Sequence, residues 1–267
     1  MRDAIPARCR QLAAAEYDHQ QTDLPRRLIH SKLSFPKGKT NPDQPGTARN
    51  TPAVAVFARA IVPGKTKTRL IPALGPGGAA DFHRALVSDA LRKIAKLKGE
   101  TTRYLFTAGG SLPLDLVPAG FCCQGQQGRD LGQRLQRAFA QLLRRHSQVV
   151  IIGTDSPALA PAMLRLALEE LRTTDAVLGP CPDGGFYLIG LRRTCRGLFN
   201  GPRLGTKFAF GDTLARLLDH NFSCSVLEPC PDVDLPRDLA AIKKSLIKHP
   251  ATRHRMPRTW QFLSKIA

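Results

Sequence analysis

A cluster of basic residues follows the first strongly apolar run of the sequence. Its four cationic side chains lie within eleven residues, around Pro63 and Gly64, and they are Arg59, Lys65, Lys67 and Arg69. Glycine permits close backbone approach, lysine supplies a mobile point charge, and arginine supplies a planar fork for phosphate oxygens. The cluster is not a Walker A loop, because position 59, five residues before Gly64, is arginine rather than glycine. The spacing predicts phosphate binding by these four residues, and a solvated basic turn is the alternative.

Three aspartates follow other apolar runs. Asp155 comes directly after the run VVIIG (149–153), and Asp232 and Asp234 follow a short run at 223–227. Alternate residues of an extended segment point to the same side, so Asp232 and Asp234 can converge on one ion. Together with Asp155 they predict a magnesium or manganese site, whose remaining ligands would be phosphate oxygens and waters. The alternative is local: an Asx turn or helix cap at Asp155, and a cap of the last helix by Asp234 or Asp238.

Two further loops carry polar residues and glycines. The segment from Cys181 to Gly185 contains Asp183 and Gly184, which suit a hairpin turn and could also contact the transferred group. Asp183 is a candidate base for an acceptor hydroxyl. The segment 128–134 contains Asp130 and Gly132, and we expect it either to cap a helix or to read a nucleobase or ribose.

Several chemistries are disfavoured by the sequence. The G-x-G-x-x-A at 75–80 lies some seventeen residues after the strand, whereas a dinucleotide fingerprint joins strand and helix directly. There is no G-x-S-x-G, no H-E-x-x-H and no Cys/His ligand spacing. The seven cysteines include no C-x-x-C pair, which indicates reduced thiols and a cytoplasmic protein. No apolar run reaches the ~20 residues of a membrane span, so none is expected.

Short apolar runs alternate with helix-period segments throughout the middle of the chain. The predicted strands are 53–58, 103–108, 121–123, 149–153, 176–180, 186–191 and 223–227. The predicted helices are 79–97, 131–143, 161–171, 213–218 and 235–246. This alternation predicts a single three-layer α/β/α domain with a mostly parallel, Rossmann-like sheet. Ligands of such sheets bind beyond the carboxyl ends of the strands, where the loops described above begin.

The net charge of +19 is concentrated at the two ends of the chain. Residues 1–50 carry nine Lys/Arg against five Asp/Glu, and residues 243–267 carry seven against none. Aromatic residues make up only 6% of the chain, whereas single-strand nucleic-acid binders use aromatics for stacking. We therefore expect a basic, proline-containing and disordered extension at 1–51, a folded domain at 52–247 and a basic tail at 248–267. Affinity of these tails for RNA or an acidic membrane is the alternative interpretation.

The loops, taken in order, resemble those of the selenodomain-associated transferases, also described as arsenosugar-biosynthesis glycosyltransferases. The resembling stretches are VFARAIVPGKTKTRL, GRDLGQRL, VVIIGTDSPAL, VLGPCPDGGFYLIGL and DVDLPRDL. More distantly, the chain is similar to phospholactate guanylyltransferases and molybdenum-cofactor nucleotidyltransferases. All share the nucleotide-diphospho-sugar transferase fold, also called GT-A.

The resemblance implies roles for individual residues. Lys65, Lys67 and Arg69 would bind the phosphates of a nucleotide. Asp155, Asp232 and Asp234 would hold the metal, and the turn Asp183–Gly185 would belong to the pocket for the donor sugar or acceptor. Gly205 and Thr206 match a family stretch that usually includes a tryptophan, but this chain has Leu204 there. The aromatic platform that this tryptophan would offer to a sugar or base is therefore missing. Either the acceptor differs, or Phe208 or Phe210 supplies an aromatic ring in its place.

These observations predict a Mg²⁺- or Mn²⁺-dependent transferase that uses a nucleotide donor and a small-molecule acceptor. Glycosyl transfer from a nucleotide-sugar is the first hypothesis, with Lys67 and Arg69 stabilising the departing diphosphate. Nucleotidyl transfer from a nucleoside triphosphate to a phosphorylated small molecule is the second. A non-catalytic nucleotide- or nucleic-acid-binding protein is the alternative of another class. The base, the sugar, the acceptor and the oligomeric state do not follow from the sequence.

Overall fold

The structure is a computed structural model, and it describes residues 51–266. Residues 1–50, including nearly all of the expected N-terminal extension, lie outside the described residues. The strands are β1 (Ala53–Arg59), β2 (Thr102–Ala108), β3 (Phe121–Gly125), β4 (Val149–Ile152), β5 (Ala176–Pro180), β6 (Phe186–Leu191) and β7 (Cys224–Val226). The α-helices are α1 (Ile71–Ala95), α2 (Leu131–Leu142), α3 (Pro161–Glu170), α4 (Ala209–Asp219), α5 (Pro236–Lys248) and α6 (Pro257–Leu263).

All seven strands form one sheet in the order β3-β2-β1-β4-β6-β5-β7. Strand β6 is antiparallel to both of its neighbours, and every other pairing is parallel. The reversed strand results from the tight turn at 181–185, which joins β5 to β6 as a hairpin. The predicted mostly parallel sheet is therefore confirmed.

The helices cover both faces of the sheet. Strand β1 shows why, because Ala53 and Ala55 pack on one side while Val54 and Val56 pack on the other, and all four are fully buried. Helices α2 and α4 cover the first face, and helices α1 and α3 cover the second. Strands buried on both sides contain few polar residues, as parallel sheets require. The three-layer α/β/α class is confirmed.

Helix α1 begins eight residues earlier than predicted. Its first turn, Ile71–Leu74, is separated from the main helix by Gly75, whose φ of 69° and ψ of 167° are not helical. Pro76 follows as the first residue of the main segment, where the lack of a backbone N–H costs nothing. The glycine-rich stretch at 75–80 is thus a helix-entry feature.

The segment that was expected to be a basic tail packs on the domain. Residues Pro250–Arg255 form a 3-10 helix, and α6 lies against the outer face of α1. Leu263 and Met256 are buried there, and Asp89 of α1 accepts hydrogen bonds from the N–H groups of Arg258 (3.1 Å) and Thr259 (2.8 Å). The sequence of this segment is dominated by basic residues, but its large apolar residues join a cluster that includes Phe82 and Leu86 of α1. Among residues 51–266, none of the helices combines the length and apolar character that crossing a bilayer requires.

Candidate functional site

The loops that follow β1, β4 and β7 meet at the carboxyl-end edge of the sheet. Lys67, from the loop after β1, places its Nζ 2.7 Å from an Oδ1 of Asp155 and 2.6 Å from Oδ1 of Asp234. The same Nζ donates a hydrogen bond to the carbonyl oxygen of Val233 at 2.7 Å. One ammonium group therefore joins three loops that are distant in the sequence.

The side chain of Lys67 is only 6% exposed. Burial by itself lowers the pKa of the Lys67 ammonium, but the charges of Asp155 and Asp234 outweigh burial, and the net pKa lies above its usual value. Lys67 therefore carries its positive charge throughout the physiological pH range. Its backbone is in the left-handed region, with φ 49° and ψ 45°, and this is an uncommon conformation for a residue with a Cβ.

Asp155 and Asp234 are held in place by their own loops. The N–H of Val233 donates to the carbonyl oxygen of Asp155 at 2.9 Å, so the two loops are also joined through their backbones. Burial by itself raises the pKa of Asp155, but the charges and hydrogen bonds of its neighbours, chiefly the Lys67 ammonium, together have the larger, opposite effect. The net pKa of Asp155 is below its usual value, so the carboxylate stays ionised. The cap of α5 is provided by Asp238, which accepts from the N–H groups of Asp234 and Leu235. The carboxylate of Asp234 is thus left to face Lys67.

Asp232 faces a second group of side chains. One ligand atom each from Cys181, Asp183 and Asp232 lies within 4.8 Å of the other two. Burial, followed by the negative charges of Asp183, Asp234 and Asp155, raises the pKa of Asp232 to about 7. The structure therefore brings the predicted Asp155 and Asp234 together on Lys67, and it places the predicted Asp232 between them and the turn at 181–185.

That turn has a backbone that only glycine adopts easily. Gly184 has a φ of 87°, and a Cβ there would clash with the carbonyl group of Lys207. The carboxylate of Asp183 accepts a hydrogen bond from the N–H of Gly185 at 2.8 Å. The N–H of Phe210 donates to the carbonyl oxygen of Gly184 at 2.9 Å. The turn and the segment 203–210 consequently form one packed unit beside Asp232.

The segment 203–210 carries an exposed aromatic ring. Phe208 is 42% exposed, and the guanidinium of Arg203 stacks over its ring at 3.7 Å. Leu204 and Phe210 pack instead against the hydrophobic core. The hydroxyl of Thr206 donates to the carbonyl oxygen of Arg203, so it stabilises this segment from within. Of the two candidate replacements for the family tryptophan, Phe208 is the one that faces solvent.

The remaining cations of the basic loop are exposed. Arg59, Lys65 and Arg69 all reach solvent, and Arg69 lies 3.7 Å from Asp234. The loop is fixed at its centre by Thr66, whose buried hydroxyl donates to the carbonyl oxygen of Ala60 and accepts from the N–H of Val62. These three cations are therefore exposed, with Arg69 beside Asp234, whereas Lys67 is buried between two carboxylates.

A cleft of about 570 Å³ opens beside the ends of β2 and β3. Its walls include Thr107, Gly109, Gln126 and Arg134. The segment 128–134, which the sequence assigned to capping or to base recognition, borders this cleft. Asp130 does cap α2, since its carboxylate accepts from the N–H of Gln133 at 2.8 Å.

Gly132 permits a close helix contact in the same segment, because a Cβ there would lie 2.8 Å from the carbonyl oxygen of Phe199. The described contacts of Asp130 and Gly132 are thus structural. Of this segment, Arg134 lines the cleft, and a role of Asp130 and Gly132 in nucleoside binding stays a prediction.

Two buried residues of α1 were not identified from the sequence. The Nε2–H of His83 donates to the carbonyl oxygen of Arg59 at 3.1 Å, beneath the basic loop. Its Nδ1 is buried, and among the described residues it has no hydrogen-bond partner. The ammonium of Lys93 donates to the carbonyl oxygen of Pro157 at 2.5 Å, and burial lowers its pKa to about 8. Both occupy core positions of an amphipathic helix, where the pattern favours apolar residues and no sequence signal marks a polar contact.

The donor set fits a divalent cation. The oxygen atoms that surround the Lys67 Nζ are two carboxylates and one carbonyl, which are the ligand types that magnesium and manganese prefer. Asp232 and Asp183 add two more carboxylates beside them. A positive charge already fits at this position, so the residues present suit a bound cation.

Part of the chain matches a known sequence family. A sequence-family model described as "Uncharacterized protein conserved in bacteria (DUF2064)" matches residues 90–206. No curated protein matches the chain in sequence.

Many solved structures are similar to this chain, several of them over most of its length. A candidate nucleotide-diphospho-sugar transferase from Desulfovibrio desulfuricans G20 has 29% sequence identity and a TM-score of 0.73, over 80% of this chain and 94% of that one. The 4-diphosphocytidyl-2C-methyl-D-erythritol synthase of Anaerococcus prevotii DSM 20548 has 8% identity and a TM-score of 0.50, over 74% of this chain and 96% of that one. The fold of residues 51–266 is thus that of the nucleotide-diphospho-sugar transferases.

Proposed function

We propose that this chain is a divalent-metal-dependent transferase that uses a nucleotide donor, and that it transfers a glycosyl group from a nucleotide-sugar. One observation carries the proposal: a cleft, a cationic loop and a group of carboxylates follow one another along a single edge of the sheet. The candidate transferase from Desulfovibrio desulfuricans, which this chain resembles at 29% identity, supports the same class.

The order of these features along the edge matches the parts of a nucleotide-sugar. The cleft beside β2 and β3 is large enough for a nucleoside. The loop after β1, beside it in the sheet, presents Arg59, Lys65 and Arg69 to the phosphates. The loops after β4 and β7 supply the carboxylates, and the turn after β5 lies beyond them.

Each group then has a defined task. Asp155, Asp232 and Asp234 would hold the cation, which neutralises charge on the departing diphosphate when it is bound. Arg69 and Lys65 bind the phosphate oxygens as charge develops there. Asp183 would accept the proton of the acceptor hydroxyl, at the exposed end of the turn held by Gly184. Phe208, with Arg203 stacked on it, forms the acceptor-side wall.

Nucleotidyl transfer is the second candidate. The three exposed cations of the loop after β1 provide enough charge for a triphosphate as well as for a diphosphate. In that reaction a phosphorylated acceptor would attack the α-phosphate and release pyrophosphate.

A two-stage experiment separates these candidates. Thermal shift is first measured with UDP, GDP, CDP, their sugars and the nucleoside triphosphates, with and without Mg²⁺. Ligands that stabilise the protein are then tested for turnover with a panel of acceptors. Release of a nucleoside diphosphate supports glycosyl transfer, and release of pyrophosphate supports nucleotidyl transfer. If no nucleotide stabilises the protein under either condition, the proposal is wrong.

A further inference from the structure

Lys67 pairs with two of the three carboxylates that the proposed metal site would use. Its Nζ lies within 2.6–2.7 Å of two carboxylate oxygens and one carbonyl oxygen. The side chain is 6% exposed, so this contact is not a transient surface ion pair. An ammonium and a divalent cation compete for the same two carboxylates, because two positive charges held at contact distance repel each other.

We propose that Lys67 is an internal cation that competes with the divalent ion for Asp155 and Asp234, so that the site loads metal and nucleotide together rather than metal alone. This inference rests on the proposed function, since it concerns the loading of the same site. The phosphate groups of a nucleotide offer the displaced ammonium a new set of oxygens. Nucleotide binding then releases the two carboxylates for the metal.

The backbone conformation of Lys67 indicates that its side-chain contacts hold the residue in place. Among residues 51–266, only Lys67 and Asn221 are non-glycine residues with positive φ. Such a conformation persists where the surroundings over-determine it, and here the surroundings are Asp155, Asp234 and Val233. When the ammonium leaves these oxygens, the left-handed conformation loses its support and the residue is free to turn outward.

The neighbouring residues allow this movement. Thr66 fixes the preceding part of the loop through its buried hydroxyl, so a change at Lys67 does not require the whole loop to unfold. Arg69 already lies at the mouth of the site, 3.7 Å from Asp234 and 67% exposed. An outward-facing Lys67 would therefore join Lys65 and Arg69 around a phosphate group.

The test measures Mn²⁺ binding to the full chain without nucleotide, by the EPR signal of free Mn²⁺. Lys67→Met removes the competing cation, and we expect it to bind Mn²⁺ about tenfold or more tightly than the natural protein, because the binding-competent state is no longer a minor one. Lys65→Met removes a charge of the same sign from an exposed position two residues away, and we expect a change of about twofold or less. Lys67→Gln, which retains a donor for the Val233 carbonyl, replaces Lys67→Met if that variant does not fold.

A second measurement uses the natural protein. Acylation of lysines is followed by mass spectrometry, with Lys65 as the internal reference. Without Mn²⁺ we expect Lys67 to be protected from acylation. As Mn²⁺ is added to saturation, we expect Lys67 to become reactive. The inference is wrong if the folded Lys67 variants gain no Mn²⁺ affinity, if Lys65→Met gains as much, or if saturating Mn²⁺ leaves Lys67 protected.

The outcomes also distinguish this inference from the proposed function. A gain of Mn²⁺ affinity in the Lys67 variants, with no nucleotide binding by any form, supports the competition and contradicts the transferase. Nucleotide binding without such a gain supports the transferase and contradicts the competition.

Discussion

The side chain of Lys67 makes the central contacts of the candidate site. It neutralises two carboxylates that would otherwise repel each other, and its contacts hold a left-handed backbone. Removing a single partner from such a pair leaves the other charge partly buried without compensation. Substitutions at the carboxylates therefore test function and electrostatics at once.

Asp155→Asn should lower the metal-dependent turnover on the order of 100-fold or more while the domain stays folded. The amide keeps the shape of the side chain, and Asp234 still pairs with Lys67, but one charged ligand is lost. The measurement is kcat at saturating Mg²⁺ together with a thermal melt. Asp219→Asn, an exposed carboxylate at the far end of α4, is the matched control and should keep its activity. Activity in Asp155→Asn equal to that of the control would contradict the assigned role.

The raised pKa of Asp232 predicts that the stability of the fold depends on pH. Its pKa of about 7 in the folded protein lies above the value of about 3.9 in an unfolded chain, so the folded state binds the extra proton between these values. Stability contributed by the protonated form is therefore lost as the pH rises from about 4 to about 7. We expect the melting temperature of the natural protein, measured in EDTA, to fall relative to that of Asp232→Asn across this range.

The two curves should become parallel above pH 7 and below pH 4. Parallel curves from pH 4 to pH 7 would show that the pKa of Asp232 is not raised.

At the scale of elements, the turn after β5 depends on Gly184 to hold Asp183 in place. Gly184→Ala places a Cβ against the Lys207 carbonyl and also strains a φ of 87°. Gly99→Ala strains a φ of 85° in the same way, but nothing lies within 4 Å of its Cβ. The difference between the two variants isolates the contact with the segment 203–210.

We expect Gly184→Ala to be about 1–2 kcal/mol less stable than Gly99→Ala in urea unfolding. It should also be the only one of the two that loses turnover, because the turn carries Asp183. Equal stability of the two variants would mean that the turn and the segment 203–210 are not packed as one unit.

At the scale of the whole molecule, the two basic ends of the chain differ. The C-terminal segment buries Met256 and Leu263 against α1, and it is anchored by Asp89. Residues 1–50 contribute none of the site residues assigned above. The net charge of a terminal segment therefore does not indicate whether that segment stabilises the domain.

Deletion of residues 250–267 should destabilise the protein by about 5 kcal/mol, since two large apolar side chains and parts of Trp260 and Phe262 lose their packing. That corresponds to a fall of roughly 10 °C or more in the melting temperature. Deletion of residues 1–50 should leave both the melting temperature and the nucleotide-dependent thermal shift nearly unchanged.

If instead the N-terminal deletion abolishes all ligand binding while the domain stays folded, the basic extension is the binding element. The alternative of a nucleic-acid-binding protein would then be favoured over the transferase.

The amino-acid sequence by itself predicted the sheet, the helices of its two faces and the loops that form the candidate site. These follow from short-range patterns, as in β1, where alternate residues pack on opposite faces, and in the helix-period segments. The bounds of β5 and β6 are those predicted. The sequence also predicted that the acidic and basic loops would meet at one edge, because strands that run parallel end together.

Only the tertiary structure decided which charges pair. Lys67 and Asp234 are 167 positions apart, and no local pattern shows that a lysine will lie between two carboxylates rather than at the surface. The same holds for Asp89, whose carboxylate caps a helix about 170 residues further along the chain. Pairings of this kind depend on how loops and helices pack against one another at the edge and on the faces of the sheet. They arise from packing and desolvation among distant residues, whereas strands and helices arise from neighbours.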